Sequence, residues 1–95
     1  MKNWTLKING RTFTMENDAD YEYRSHINGM QTTEPNNWVS CKGTDENGTE
    51  ITAWYYVEDG TELDSINYDE PSDIADEYGH IIYDSEGMAN VQRNH

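Results

Sequence analysis

Positive charge is what this sequence has least of: six Lys and Arg stand against 19 Asp and Glu among 95 residues, a formal charge of -13. Such a chain repels phosphate at long range, which excludes binding DNA, RNA or anionic lipid through a basic patch and points to cationic partners. Cysteine is reduced to Cys41. One cysteine forms no internal disulfide and no structural zinc site by itself, so neither a covalent nor a metal staple is expected. No run approaches the roughly 20 apolar residues of a membrane span, and Met1 to Leu6 lacks the apolar core of a signal peptide; a cytoplasmic chain is expected. Apolar residues are also sparse, at 34% with a mean hydropathy of -1.05. Three Trp, seven Tyr and one Phe offset that shortage. Aromatic side chains bury large areas each, so a small, thinly cored, folded domain is expected.

Trp4, Leu6 and Ile8 alternate with polar residues, Asn9-Gly10 follows, and Phe13 and Met15 resume the alternation. Asn-Gly suits a type I′ turn, whose two central residues both need positive φ. A two-residue turn there sets Ile8 opposite Arg11, Leu6 opposite Phe13 and Trp4 opposite Met15, gathering the apolar bulk on one face. A second hairpin is predicted from Trp38–Asp45 and Thr49–Val57 around Asn47-Gly48, placing Cys41 opposite Trp54 and Val39 opposite Tyr56. That register also sets Asp45 against Glu50, a like-charge conflict relieved by a wider turn with a bulge. Between the hairpins, Asn17 or Asp18 suits the cap of a helix over residues 19–27, while Tyr21, Tyr23, Ser25 and Ile27 alternate as a strand does. Pro71 fits the first turn of a short helix near 71–78, with Ile74, Ala75 and Tyr78 as its apolar stripe and Gly79 as its stop. The expected fold class is α+β: an antiparallel sheet of four to five strands built from Asn-Gly hairpins, with that one helix. Residues 1–87 form a single β-rich domain and 88–95 a flexible tail.

Catalytic and metal signatures are absent. An acid-rich chain always contains carboxylate pairs, but a catalytic pair needs a cleft that raises one pKa, and so small a core leaves little room for one. Asp45-Glu46-Asn47-Gly48 opens like a calcium loop, yet its Gly comes fourth where an EF-hand needs it sixth. His26, His80 and His95 lack metal-ligand spacing. Cys41 has no clustered cations to stabilise a thiolate. No catalytic residue, metal site or cofactor is expected, and the chain is read as a non-enzyme. A small-ligand module using Trp4, Trp38 and Trp54 requires those rings to be exposed.

Charge is polarised along the chain. Residues 1–41 carry four bases and five acids, whereas residues 42–95 carry two bases and fourteen acids, nine of them between Glu58 and Glu77. Interleaved Leu63, Ile66, Tyr68, Ile74 and Tyr78 can pin that block to a sheet. One DNA strand presents a phosphate per ~3.4 Å of axis, whereas alternate strand residues stand roughly 6.7 Å apart and i,i+4 helix neighbours about 6 Å. A phosphate mimic therefore needs two rows of carboxylates. Glu58, Glu62 and Asp64 on an extended stretch, beside Glu70, Asp73, Asp76 and Glu77 on the helix, are expected to supply them. Asp59 and Asp69 extend the patch, and Tyr68 and Tyr78 serve as aromatic anchors.

A compact chain without enzyme motifs, base-free from Gly43 to Gln92 while carrying fourteen acids, resembles the small acidic inhibitors that phages and mobile elements use against host defences, the anti-CRISPR and anti-restriction proteins. The resemblance covers length and charge distribution. It implies a non-catalytic inhibitor that occupies a basic nucleic-acid-binding surface of a CRISPR effector or restriction enzyme, competing with DNA or RNA. The alternative is an acidic protein–protein adaptor or phage accessory protein without nucleic-acid mimicry.

Overall fold

The computed structural model describes residues 3–33 and 35–85. Among them the regular secondary structure is almost wholly antiparallel sheet: β1 (Asn3–Ile8), β2 (Arg11–Glu16), β3 (Asp20–Tyr21), β4 (His26–Ile27), β5 (Met30–Gln31), β6 (Trp38–Thr44), β7 (Glu50–Tyr56), β8 (Asp73–Asp76) and β9 (Ile81–Asp84), with one 3-10 turn at Leu63–Ser65. The main sheet has seven strands, six of them ordered β1-β2-β6-β7-β8-β9, with β3 also paired to β6; β4 and β5 form a separate ribbon. No described helix is long and apolar enough to cross a membrane. The tail expected from residue 88 lies outside the described residues.

The first hairpin has the expected register, with Ile8 opposite Arg11, Leu6 opposite Phe13 and Trp4 opposite Met15. Asn9 (φ 50°) and Gly10 (φ 79°) both take positive φ, as a type I′ turn requires. Asn28 (φ 53°) and Gly29 (φ 83°) repeat this turn between β4 and β5, so the ambiguous segment is extended and contains no helix.

The second hairpin differs from expectation by one residue. Cys41 faces Ala53, Val39 faces Tyr55 and Thr44 faces Glu50. The loop is wider because Asp45 closes it: its carbonyl accepts the Gly48 N–H (3.0 Å), its N–H donates to the Thr49 carbonyl (2.9 Å), and its Oδ1 accepts the N–H groups of Asn47 and Thr49 (both 2.9 Å). Asp45 is thereby moved out of register with Glu50, and the like-charge conflict disappears.

The expected helix at 71–78 does not exist, and with it the α+β class of four to five strands gives way to a nearly all-β fold. β8 occupies this segment because β7 offers an open edge, on which Ala53 pairs with Ile74 and Thr52 with Ala75. Ile74 and Ala75 are buried there. Gly79 (φ 84°) ends a turn instead of a helix. Asp76 Oδ1 accepts the N–H groups of Tyr78 and His80 (both 2.9 Å), and the Asp76 carbonyl accepts the Gly79 N–H (3.0 Å). Asp76-Glu77-Tyr78-Gly79-His80 is thus the same turn as Asp45-Glu46-Asn47-Gly48-Thr49, bond for bond.

Alternation divides the sheet into two faces. The inner face buries Leu6, Phe13, Met15, Val39, Cys41, Ile51, Ala53, Tyr55 and Ile74, and the β7–β8 connection covers it with Leu63, Ile66 and Tyr68. Gly43 belongs to this face, and a Cβ there would meet Met15 Sδ and the Thr14 carbonyl oxygen at 2.6 Å each. β2 and β6 therefore approach more closely than any side chain at 43 permits. The outer face holds Ile27, Trp38 and Trp54, covered by the segment that carries β4 and β5. Arg24 is clamped there, its guanidinium carbon 4.5 Å from the Trp38 ring centre and 4.3 Å from that of Trp54. Its two terminal nitrogens donate to the two Asp73 oxygens, each at 2.9 Å. Arg24 is 5% and Asp73 3% exposed.

Asp73→Ala leaves a buried guanidinium without its carboxylate and should cost about 3–5 kcal/mol, read as a lower urea midpoint. Arg24→Met combined with Asp73→Leu should recover most of that loss. At the opposite end of the sheet, Glu46 accepts from the Thr12 N–H (3.0 Å) and from Arg11 (3.2 Å), which holds its carboxyl down at about 2 against an ordinary 4.5. A carboxyl lowered by folding stabilises above its ordinary value and ceases to do so as pH falls through the folded one. Thermal midpoints should therefore fall more steeply between pH 4.5 and about 2 in the native chain than in Glu46→Gln.

Candidate functional site

The expected acidic patch is divided by the fold. Glu58, Asp59, Glu62, Asp64, Asp69 and Glu70 are all exposed on the β7–β8 connection. Glu58 and Asp59 stand on a turn in which the Glu58 carbonyl accepts the Thr61 N–H (3.1 Å). Ser65 donates from its N–H and its hydroxyl to the Glu62 carbonyl, which fixes the 3-10 turn bearing Asp64. Asn67 orders the next pair, its Oδ1 accepting the Asp69 N–H and its amide donating to Glu70 Oε2.

Asp73, Asp76, Glu77 and Tyr78 do not join this group. Without a helix the i,i+3 and i,i+4 neighbourhood of the three acids does not arise. Asp73 is sealed against Arg24; burial pushes its carboxyl up from the ordinary value, and the guanidinium pulls the other way. Asp76 closes its turn. Glu77 and Tyr78, the latter 77% exposed, stand at the far end of β8, roughly 10 Å of strand beyond Asp73. Substituting Asp73, Asp76 and Glu77 together would therefore damage the fold. Tyr68 is not a free anchor either. Its ring meets Tyr55 at 5.1 Å and Trp4 at 6.3 Å between centres, and its hydroxyl donates to the Leu63 carbonyl (2.7 Å).

The fold supplies other acids in their place. β2 pairs with β6 at Met15 and Gly43, leaves it, and returns as β3 at Asp20 and Ser40. The intervening Asn17–Ala19 arches over Cys41, whose thiol donates to the Glu16 carbonyl (3.0 Å). This arch lies against the β7–β8 connection, where the Tyr21 hydroxyl donates to the Thr61 carbonyl. Glu16, Asp18 and Asp20 are exposed along it. Glu22 continues the series, half-buried and accepting from the Ser40 hydroxyl (3.4 Å). Acids at 16, 18, 20 and 22 form an alternating run. A tally over residues 1–41 averages that run against distant bases and hides it.

Arch and connection enclose an open cavity of about 360 Å³, with Trp4 and Tyr68 as aromatic walls, Asp18 and Asp64 as acidic ones, and Cys41 among its lining. A second hollow, bordered by Trp4, Tyr68 and Asn17, shares its walls. Burial, reinforced by the Asp18 charge, pushes the Cys41 thiol up, so it stays protonated and unreactive. Burial likewise pushes up Tyr68, with Cys41 and Asp64 adding to it. Of the tryptophans, Trp38 is buried and Trp4 and Trp54 half-buried, so they offer no exposed platform of three rings. Among the described residues no three His, Cys, Asp or Glu side chains converge as a metal site.

No protein-family model matches the chain, and no curated protein or solved structure is significantly similar to it. The side chains themselves therefore define the candidate site: the acidic β7–β8 connection, joined by Asp18 of the arch across an aromatic-walled cavity, while Asp20 and Glu22, level with Ser40, belong to the outer face of the sheet.

Tyr68→Phe removes the hydroxyl that holds Leu63 and should cost about 1 kcal/mol. Amide exchange at Leu63–Ile66 should accelerate while that of β6 stays unchanged.

Proposed function

We propose that the protein is a non-catalytic inhibitor that applies this acidic face to a basic, nucleic-acid-binding surface of a host defence protein, a CRISPR effector or restriction enzyme, in competition with DNA or RNA. The observation that carries this reading is the exposure of six acids with no base between them along the β7–β8 connection, Glu58 to Glu70, met by Asp18 of the arch across the cavity. Alternate strand residues stand roughly 6.7 Å apart, wider than phosphate spacing, so a mimic draws on acids of more than one segment. Acids on loops also retain the freedom to adjust to a cationic groove, and a dense negative field accelerates encounter. Such a partner places the action in the cytoplasm. An acidic adaptor is the second reading, favoured by Tyr78 and Ile82 (77% and 37% exposed) near the β8–β9 turn, away from the acidic face.

Immobilised protein should retain a basic nucleic-acid-binding protein from host lysate at about 50 mM salt and lose it by about 300 mM. Duplex DNA or heparin should displace the partner. Replacing Glu58, Glu62, Asp69 and Glu70 by their amides should abolish retention, and Glu77→Gln should not. Retention that survives high salt, or that DNA leaves untouched, sinks the mimicry reading and favours the adaptor.

A further inference from the structure

We infer that the cavity between the arch and the β7–β8 connection is a receptor for one arginine side chain of the basic partner. This rests on the acidic-face reading and adds a specific anchor to it. The walls carry the chemistry an arginine needs. Trp4 and Tyr68 supply rings for the flat guanidinium and its methylene stem, and Asp18 and Asp64, from separate segments, line the same cavity. No base is found among the described lining residues, so neither carboxylate is neutralised from within the cavity. The volume of about 360 Å³ lies at the small end of ligand sites, which suits one extended side chain and excludes a folded element.

The molecule already holds an arginine in this way. On the outer face Trp38 and Trp54 meet edge to face at 6.2 Å, Arg24 lies against both rings, and Asp73 receives it with two bonds. On the inner face Trp4 and Tyr68 meet at 6.3 Å, also edge to face, beside Asp18 and Asp64. The two sites share an aromatic pair and a carboxylate; the first is sealed by the chain's own arginine and the second opens to the surface. Lysine is a poorer occupant, since its ammonium is more strongly hydrated and lacks the planar fork that stacks and pairs at once. The protonated Cys41 thiol adds no competing charge at the cavity.

The test compares two short peptides of equal charge, acetyl-Gly-Arg-Gly-Arg-Gly-amide and its lysine counterpart, titrated into isotopically labelled full-length protein at low salt. The arginine peptide should move the Trp4 indole N–H resonance and the Asp18 and Asp64 amides, and should bind about tenfold more tightly than the lysine peptide. Asp18→Asn with Asp64→Asn, both at exposed positions, should erase that preference while the β1–β2 amide resonances stay in place. Equal affinity for both peptides, with shifts spread over Glu58–Glu70 and Trp4 unmoved, overturns the arginine receptor and leaves the acidic face standing. Absence of shifts with either peptide overturns both. The comparison of peptides uses the unmodified chain, so it holds even if the double variant misfolds.

Discussion

The contact between Arg24 and Asp73 ties together distant parts of the chain, seconded by the bond from the Ile81 N–H to Asn28 Oδ1 (3.3 Å). The two residues lie 49 positions apart, and their bond joins the segment that carries the β4–β5 ribbon to β8. Two charges removed from water at once are tolerable only with full pairing, and here both carboxylate oxygens are used while two indole faces cover the guanidinium. Trp38 and Trp54 are positioned for that role by their neighbouring strands, and Asp73 lies opposite Trp54 across the β7–β8 ladder. The outer face thus gains an inside with few aliphatic side chains, Ile27 and Ile81 beside the two indoles. The Thr32 hydroxyl donates to the Arg24 carbonyl (2.7 Å), which extends the same anchorage to the end of the ribbon.

A chain with a charge of -13 must also fold against its own repulsion. Its acids divide into three uses. Asp45 and Asp76 are absorbed as acceptors for turn N–H groups, and Glu46 as an acceptor between two hairpin tips. Asp73 is neutralised in the outer face. Six more, Glu58, Asp59, Glu62, Asp64, Asp69 and Glu70, are exposed on the β7–β8 connection, where the backbone leaves the sheet and side chains can separate. The acids of the connection are thus the ones that neither the turns nor the buried pair take up.

How much of this the sequence discloses depends on the range of the deciding interaction. The β1–β2 hairpin was legible because Asn9-Gly10 and the alternation around it act locally and agree. The Asn47-Gly48 hairpin was legible except for its register, which turns on the Asp45 side chain capping its own loop; the conflict with Glu50 was the visible warning. β8 was misread because Ile74, Ala75 and Tyr78 fit a helical stripe as well as a strand, and the open edge of β7 that decides the matter is a tertiary fact. The repetition of Asp-Glu-x-Gly at 45–48 and 76–79 was the available clue. At the candidate site, the acids of the connection were legible from composition, whereas Glu16–Glu22 were hidden by averaging. Nothing local marks Asp73 as different from its acidic neighbours, because what distinguishes it is Arg24.

The break between β2 and β3 gives the cavity a mechanical character of its own. β6 is gripped on one edge at two places, near Gly43 and near Ser40, and the arch between them stands outside the ladder. A thiol is a feeble hydrogen-bond donor, so the link from Cys41 to Glu16 tethers that arch by one of the softest polar contacts a protein can make. One wall of the cavity is therefore backbone held by the ladder only at its two ends.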